Sequence, residues 1–264
     1  MPELPEVETI RRQLRSEIID KTVLRAGSHE SQKFLPAREI KGRRFTELSR
    51  RGKYLIAECD GQTELIVHLG MTGQLLIDRH EQDLTNLDQY QRAWWSLDNG
   101  KTVVFRDVRR FGRIAVVSKG DYSQIPTLRD MGPEPFSADL TGDEVWRRTR
   151  GRKRRIKTQL LSQRLIAGVG NIYADEALFL ARINPALRSI SRPQAQRLLD
   201  ALRTVLSEAI ERGGTTLRDY RNLEGEGSNQ HHLKCYGRAG QSCLVCASTL
   251  RSRIIDARTT TWCP

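Results

Sequence analysis

Met131-Gly132-Pro133-Glu134-Pro135 divides the chain. Two prolines beside a glycine continue neither a helix nor a central strand, so the stretch reads as a rigid, turn-rich part of a linker over 121–141. On its N-terminal side, Lys53–Cys59, Glu64–Leu69, Trp94–Leu97, Lys101–Arg106 and Arg113–Val117 are short and rich in β-branched or aromatic residues. Gly61, Gly70, Gly73 and the hairpin signal Asn99-Gly100 punctuate them, a pattern that fits a sandwich or barrel. Ahead of these strands, Val7, Ile10, Leu14 and Ile18 recur at helical spacing over 5–19, with Pro5 where a missing N–H costs nothing.

On the C-terminal side the chain reads helical. Leu198, Leu199, Leu202, Val205, Leu206, Ala209 and Ile210 form one apolar face, opened by a capping box at Ser191 and Gln194 and closed by Gly213-Gly214. Two further helices are predicted over 156–166 and 172–182, separated by Gly168-Val169-Gly170-Asn171. In this reading Asn171 is an N-cap.

The whole is 264 residues with 44 Lys+Arg against 32 Asp+Glu, a net charge of +12, which suggests a polyanionic partner. No apolar run is long enough for a membrane span, and the N-terminus lacks the pattern of a secretory signal. Five cysteines, an odd number, argue against a disulfide framework and for a reducing cytosol. Cys235, Cys243, Cys246 and Cys263 crowd the tail, where Cys243-x2-Cys246-x16-Cys263 has the spacing of an incomplete four-thiolate zinc ribbon. Cys59 reads as a buried structural thiol.

Pro2 offers unusual chemistry. Removal of Met1 leaves a secondary α-amine, titrating near ~8 against ~10.4 for a lysine, so a useful fraction is nucleophilic at neutral pH. Such an amine attacks an aldehyde-like carbon to give an iminium. Glu3 and Glu6 flank it as proton donors or electrostatic partners, or equally as first-turn charges on the helix dipole.

The opening Met1-Pro2-Glu3-Leu4-Pro5-Glu6-Val7-Glu8-Thr9 resembles that of the formamidopyrimidine-DNA glycosylase and endonuclease VIII family. The resemblance continues through Arg51-Gly52-Lys53-Tyr54-Leu55, His68-Leu69-Gly70-Met71-Thr72-Gly73, Asp107-Val108-Arg109-Arg110-Phe111-Gly112 and Gly132-Pro133-Glu134-Pro135. It runs on through Gly168-Val169-Gly170-Asn171-Ile172-Tyr173, Gly213-Gly214-Thr215-Thr216-Leu217-Arg218-Asp219 and Tyr236-Gly237-Arg238. The implied fold class is α+β: an N-terminal β-sandwich domain with a leading helix over 1–120, the linker, a helix–two-turn–helix domain over 142–225, and a zinc-ribbon hairpin over 226–264.

The implied function is a bifunctional DNA glycosylase and AP lyase that excises oxidised purines (8-oxoguanine, formamidopyrimidines) from duplex DNA, followed by β,δ-elimination. By the same resemblance Pro2 is the nucleophile, Glu3 the acid and Glu6 its support, while Lys53 and Arg258 contact phosphates beside the flipped nucleotide. Met71, Arg109 and Phe111 fill the vacated stack, with cytosine preferred opposite the lesion, and Asn171 binds phosphate. The basic run Arg147–Arg155 strengthens backbone binding or is a solvated edge.

The implied cofactor is one structural Zn2+ on Cys243, Cys246 and Cys263. The family's fourth thiolate falls beyond Pro264, which implies a longer chain, a site short of one ligand, or a substitute from Cys235, His231 or His232. The implied partner is damaged double-stranded DNA, with no membrane, bound by a monomer in a bacterial, nucleoid-associated cytoplasm. Two alternatives stand beside this reading: an endonuclease VIII-like enzyme for oxidised pyrimidines, and a non-catalytic zinc-ribbon DNA-binding protein. The second needs neither Pro2 nor Glu3.

Overall fold

The computed structural model describes residues 1–78, 88–217 and 220–264. Arg218 and Asp219, which belong to one of the quoted motifs, lie outside the described residues. The chain divides into two compact units: Met1–Arg129 with Gly213–Ser228, and Asp130–Arg212 with Asn229–Pro264.

The first unit opens with α1 (Leu4–Ile18), whose buried stripe of Val7, Ile10, Leu14 and Ile18 is the predicted one. Strands β1 (Val23–Ser28), β2 (Phe45–Arg51), β3 (Tyr54–Cys59), β4 (Thr63–His68), β5 (Gly73–Asp78), β6 (Gln91–Leu97), β7 (Thr102–Asp107) and β8 (Arg113–Ser118) follow, then the short helix α2 (Pro126–Arg129). They form two antiparallel four-stranded sheets, ordered β1-β6-β7-β5 and β2-β3-β4-β8. Alternating side chains from both sheets meet in one core with the α1 stripe, among them Leu55, Leu65, Leu75, Trp95 and Phe105, which makes this a β-sandwich with a leading helix. The Trp95 indole N–H donates to Ala37 O at 2.9 Å, so the largest core side chain leaves no orphan donor.

The second unit holds α3 (Gly142–Thr149), α4 (Ile156–Leu161), α5 (Asn171–Leu180), α6 (Arg192–Glu211) and a hairpin of β9 (Arg251–Ile255) and β10 (Arg258–Trp262). The capping box at Ser191 and Gln194 is present, and Gly213 leaves the helix with φ +72°. The segment at 131–135 is strapped down: Gly132 N–H donates to Gln163 O at 2.8 Å, and Arg203 Nε donates to Pro135 O at 2.8 Å.

Two local expectations are corrected. The helix predicted over 156–166 ends at Leu161, because Gln163 turns left-handed (φ +62°). Its side chain then takes over the backbone groups of the turn, accepting from Gly168 N–H at 2.9 Å and donating to Val169 O at 2.6 Å. Asn171 is the first residue of α5 rather than its N-cap; Gly170 occupies that position without a side-chain cap.

Candidate active site and nucleic-acid interface

Pro2 and Glu3 are buried at the start of α1, whereas Met1 is 49% exposed. Glu6 ties this end down from both sides. Its Oε2 accepts from Glu3 N–H at 2.8 Å, and its Oε1 accepts from Thr215 N–H at 2.8 Å. The second bond requires the chain to pass Glu6 closely at Gly214, where φ is +87° and a Cβ would lie 3.0 Å from both Glu6 Cγ and Tyr220 Cε1. Glycine is the residue that meets both demands. The Tyr220 hydroxyl donates to Gly213 O at 3.1 Å; burial, and then the charge of Glu6, hold that phenol protonated by pushing its pKa up.

One turn along α1, Glu8 binds Arg11 and Arg12 and meets Arg50 Nε at 3.2 Å. Arg50 also donates to Gly52 O at 2.9 Å, which fixes the β2–β3 turn that presents Lys53. Lys53 is buried rather than splayed into solvent. Its charge and that of Arg113 bear on His68, which burial first and these cations second push down to about 4. A neutral His68 keeps Nδ1 free to accept from Gly70 N–H, at 3.1 Å.

Met71 and Thr72 lie in the turn before β5; Arg109 and Phe111 lie in the loop between β7 and β8. Phe111 is 50% exposed, with the Arg109 guanidinium 4.9 Å from its ring centroid. They are loop residues rather than core. Gly70 (φ +65°) packs against the Phe111 backbone so closely that a Cβ there would run into the Phe111 carbonyl carbon, so the two turns abut.

In the second unit, Asp256 (φ +46°) and Ala257 (φ +62°) make a two-residue turn with both central residues left-handed, and Arg258 follows it, exposed. The hairpin is held by a fully buried pair: Lys157 Nζ lies 2.7 Å from Asp175 Oδ1 and donates to Thr259 O at 3.0 Å and Thr260 Oγ1 at 2.9 Å. Asp175 Oδ2 in turn accepts from Thr261 N–H at 3.0 Å. Asn171 Nδ2 donates to Thr259 O at 3.4 Å, so the α5 start and the Arg258 strand share one anchor. Arg147 and Arg148 of the basic run both bind Glu144; Arg152, Lys153 and Arg154 are exposed.

The Cys243, Cys246 and Cys263 sulfurs lie within 4.8 Å of one another, and Cys246 Sγ is 3.4 Å from Cys263 Sγ. A tetrahedral ion with Zn–S bonds of ~2.3 Å sets its sulfurs about 3.8 Å apart, so the three thiols fit such an ion. Neither Cys235, His231 nor His232 joins them among the described residues. Cys235 is spent elsewhere: its Sγ donates to Thr261 O at 3.2 Å, and burial pushes its thiol up. Cys59 is buried, with its thiol pushed up to about 12 by burial.

Several supporting residues went unassigned in the sequence. Thr72 and Asp107 lie inside quoted motifs, but nothing in their spacing shows that they bond. Lys157 and Asp175 sit in different helices, and Glu176 accepts three backbone N–H groups, from Lys234 (2.9 Å), Cys235 (2.8 Å) and Tyr236 (2.7 Å).

Models of two known domains match the chain: the formamidopyrimidine-DNA glycosylase N-terminal domain over residues 1–114 and the formamidopyrimidine-DNA glycosylase H2TH domain over residues 131–221. The formamidopyrimidine-DNA glycosylase of Thermus thermophilus is 42% identical, with 100% of this chain and 97% of the relative covered. That of Deinococcus radiodurans is 39% identical, covering 100% and 96%. The crystal structure of the MutM (Fpg) protein from Thermus thermophilus superposes with a TM-score of 0.91 at 42% identity, covering 100% and 97%. A MutM complex with carbocyclic 8-oxo-G containing DNA gives 0.90 at 30% identity, covering 100% and 98%. A variant of the Lactococcus lactis Fpg bound to Fapy-dG containing DNA gives 0.90 at 31%, with the same coverage. Two domain models in the expected order, full-length relatives and a shared fold together place this chain in the formamidopyrimidine-DNA glycosylase family.

Proposed function

We propose that this chain is a bifunctional DNA glycosylase and AP lyase for oxidised purines in duplex DNA. The observation that carries the reading is the N-terminal arrangement: Pro2 beside a buried Glu3, on a helix start that Glu6 binds to Thr215. Solved relatives that hold 8-oxo-G or Fapy-dG DNA support the substrate class.

Met1 must first be removed, since the Pro2 nitrogen is an amide while Met1 is attached; the exposure of Met1 makes it accessible. The freed amine attacks C1′, and the C1′–N bond breaks with its electron pair leaving on the base. Glu3 delivers a proton to the sugar ring oxygen as the ring opens to the iminium. The iminium acidifies C2′; loss of that proton expels the 3′ phosphate, and a second elimination expels the 5′ phosphate. Lys53 steadies the phosphates near the lesion. Because the base must leave the stack, Met71, Arg109 and Phe111 fill its place, with Phe111 as the wedge and Arg109 offering donors to cytosine. Asn171 and Arg258 hold backbone phosphates. Cys243, Cys246 and Cys263 hold one structural Zn2+, which when bound braces the hairpin. The enzyme acts as a monomer in a bacterial, nucleoid-associated cytoplasm.

Incubation with duplexes that carry 8-oxoguanine or an oxidised pyrimidine tests the reading. Faster release of the purine, with a gap bounded by two phosphates, is expected. Faster release of the pyrimidine would move the chain to endonuclease VIII-like specificity, and binding without cleavage of either would make it a DNA-binding protein.

A further inference from the structure

Met71 and the Arg109/Phe111 pair come from two turns, one before β5 and one after β7, and β5 and β7 are ladder neighbours that pair Gly73 with Asp107. The turn after β7 is exposed where it would meet DNA, with Val108 44% and Phe111 50% accessible, whereas in the turn before β5 Met71 is half-buried and Thr72 buried. The two turns abut at Gly70, and polar bonds at their bases tie one to the other. Those bonds converge on one fully buried carboxylate. Asp107 Oδ2 accepts from Gly112 N–H at 2.7 Å, directly after Phe111. Asp107 Oδ1 accepts from the Thr72 hydroxyl at 2.5 Å, directly after Met71. The Thr72 oxygen in turn accepts from Arg109 N–H at 3.1 Å. The backbone of Asp107 is itself held, since buried Arg92 donates Nε–H to its carbonyl at 2.8 Å. Gly112 packs so closely that a Cβ would lie 3.0 Å from Asp107 Oδ2 and 2.6 Å from Phe105 Cζ.

We propose that Asp107, acting directly and through Thr72, is the positioning residue that sets Met71, Arg109 and Phe111 into one arrangement for the emptied stack. This rests on the void-filling reading of those three side chains. Each is adjacent in sequence to a group on the network, or is itself bonded to it through its backbone. A carboxylate is suited to the task because it accepts from two donors at once, and a hydroxyl relays the bond because it donates and accepts. An asparagine at 107 would turn an NH2 toward one of two donors, and a valine at 72 would keep the shape of threonine without its hydroxyl.

The test uses the full-length protein with Thr72→Val, Thr72→Ser, Asp107→Asn and Arg109→Ala. The probe is a duplex with a tetrahydrofuran abasic analogue opposite cytosine or adenine, carrying 2-aminopurine beside that base, whose fluorescence reports local unstacking. A second readout is cleavage of a single-stranded oligonucleotide with an aldehydic abasic site, which has no partner base to fill against. Thr72→Val and Asp107→Asn should lose roughly tenfold of the cytosine-over-adenine preference, within the range of one base-edge contact, and alter the fluorescence. Single-strand cleavage should stay within about twofold of wild type, and Thr72→Ser should retain the preference. Should Asp107→Asn fail to fold, the Thr72→Val and Thr72→Ser pair decides alone. Full preference in Thr72→Val, or single-strand cleavage falling in step with preference, overturns the positioning role. If Arg109→Ala also keeps full preference, the void-filling reading fails and takes this proposal with it; if only Arg109→Ala loses it, the positioning claim alone falls.

Discussion

Glu8 in the first unit and Asp175 in the second are both acids set against basic side chains, yet they titrate in opposite directions. Burial pushes both carboxyls up. At Glu8 the side chain keeps 12% exposure and faces Arg11, Arg12 and Arg50, whose bonds and charges outweigh burial and bring it down to about 2. At Asp175 exposure is 1%, Lys157 is the principal cation, and burial prevails, raising the carboxyl to about 6. The number of counter-charges against the depth of burial thus decides the sign, and an ion pair by itself does not. The difference also separates two kinds of anchor: an arginine-rich clamp that orients α1 and the Lys53 turn, and a dry pair that holds the Arg258 hairpin.

The largest effect belongs to the dry pair. Lys157→Met leaves Asp175 buried without its cation and removes two bonds to β10, and should cost roughly 3–5 kcal/mol in chemical unfolding. Adding Asp175→Leu should recover much of that loss, because the uncompensated charge goes with it. A double variant no better than Lys157→Met would mean that the bonds to Thr259 and Thr260, rather than the charge, carry the anchor.

A smaller effect appears on titration. Glu8, lowered in the folded state, contributes stability that is present above its ordinary 4.5 and is lost as pH falls toward 2. The stake is roughly 1–2 kcal/mol after allowance for solvent screening. Asp175, raised in the folded state, has the opposite profile: its contribution is present below its ordinary 3.8 and is lost as pH rises through about 6. Unfolding followed across pH should show a shallower acid limb in Glu8→Gln and a shallower fall between pH 4 and 6 in Asp175→Asn. Matching slopes in the two variants would contradict the comparison.

An effect of comparable size separates holding DNA from reading it. Arg258→Ala should weaken binding to every duplex and flatten the salt dependence by about one unit of log–log slope. Arg109→Ala should leave the slope nearly unchanged and erode the preference for cytosine by roughly 1–3 kcal/mol. Binding to lesion·C and lesion·A duplexes across a salt series checks both, and reversed outcomes would exchange the two arginines' roles.

The apolar periodicities of the chain located α1, α6 and most sandwich strands, because a buried stripe or alternating face must be written in hydrophobic residues. What they did not show are the polar contacts made inside. Lys157 and Asp175 look like ordinary helix polar positions, and only the folded chain brings them to 2.7 Å. The helix predicted over 156–166 failed for the same reason: Gln163 has good helix propensity, and its bonds to Val169 and Gly168 override that preference. The candidate site was legible where spacing carries the chemistry, as at the three cysteines, whose sulfurs do converge. Thr72, Asp107 and Glu176 were not, since each acts by receiving backbone N–H groups that no spacing announces. Likewise the return of Gly213–Ser228 to the first unit rests on Gly214 passing Glu6, a long-range contact without a periodic signal.

The central claim is that the N-terminal amine of Pro2 is the nucleophile. Borohydride reduction during turnover on a duplex with 8-oxoguanine, followed by mass analysis of the adduct, tests it most directly. A stable protein–DNA adduct at Pro2, with Met1 absent, is the predicted result; Glu3→Gln should lose base excision while retaining lesion binding. A full yield of adduct from a protein whose N-terminus is extended, so that the Pro2 nitrogen stays an amide, would contradict it.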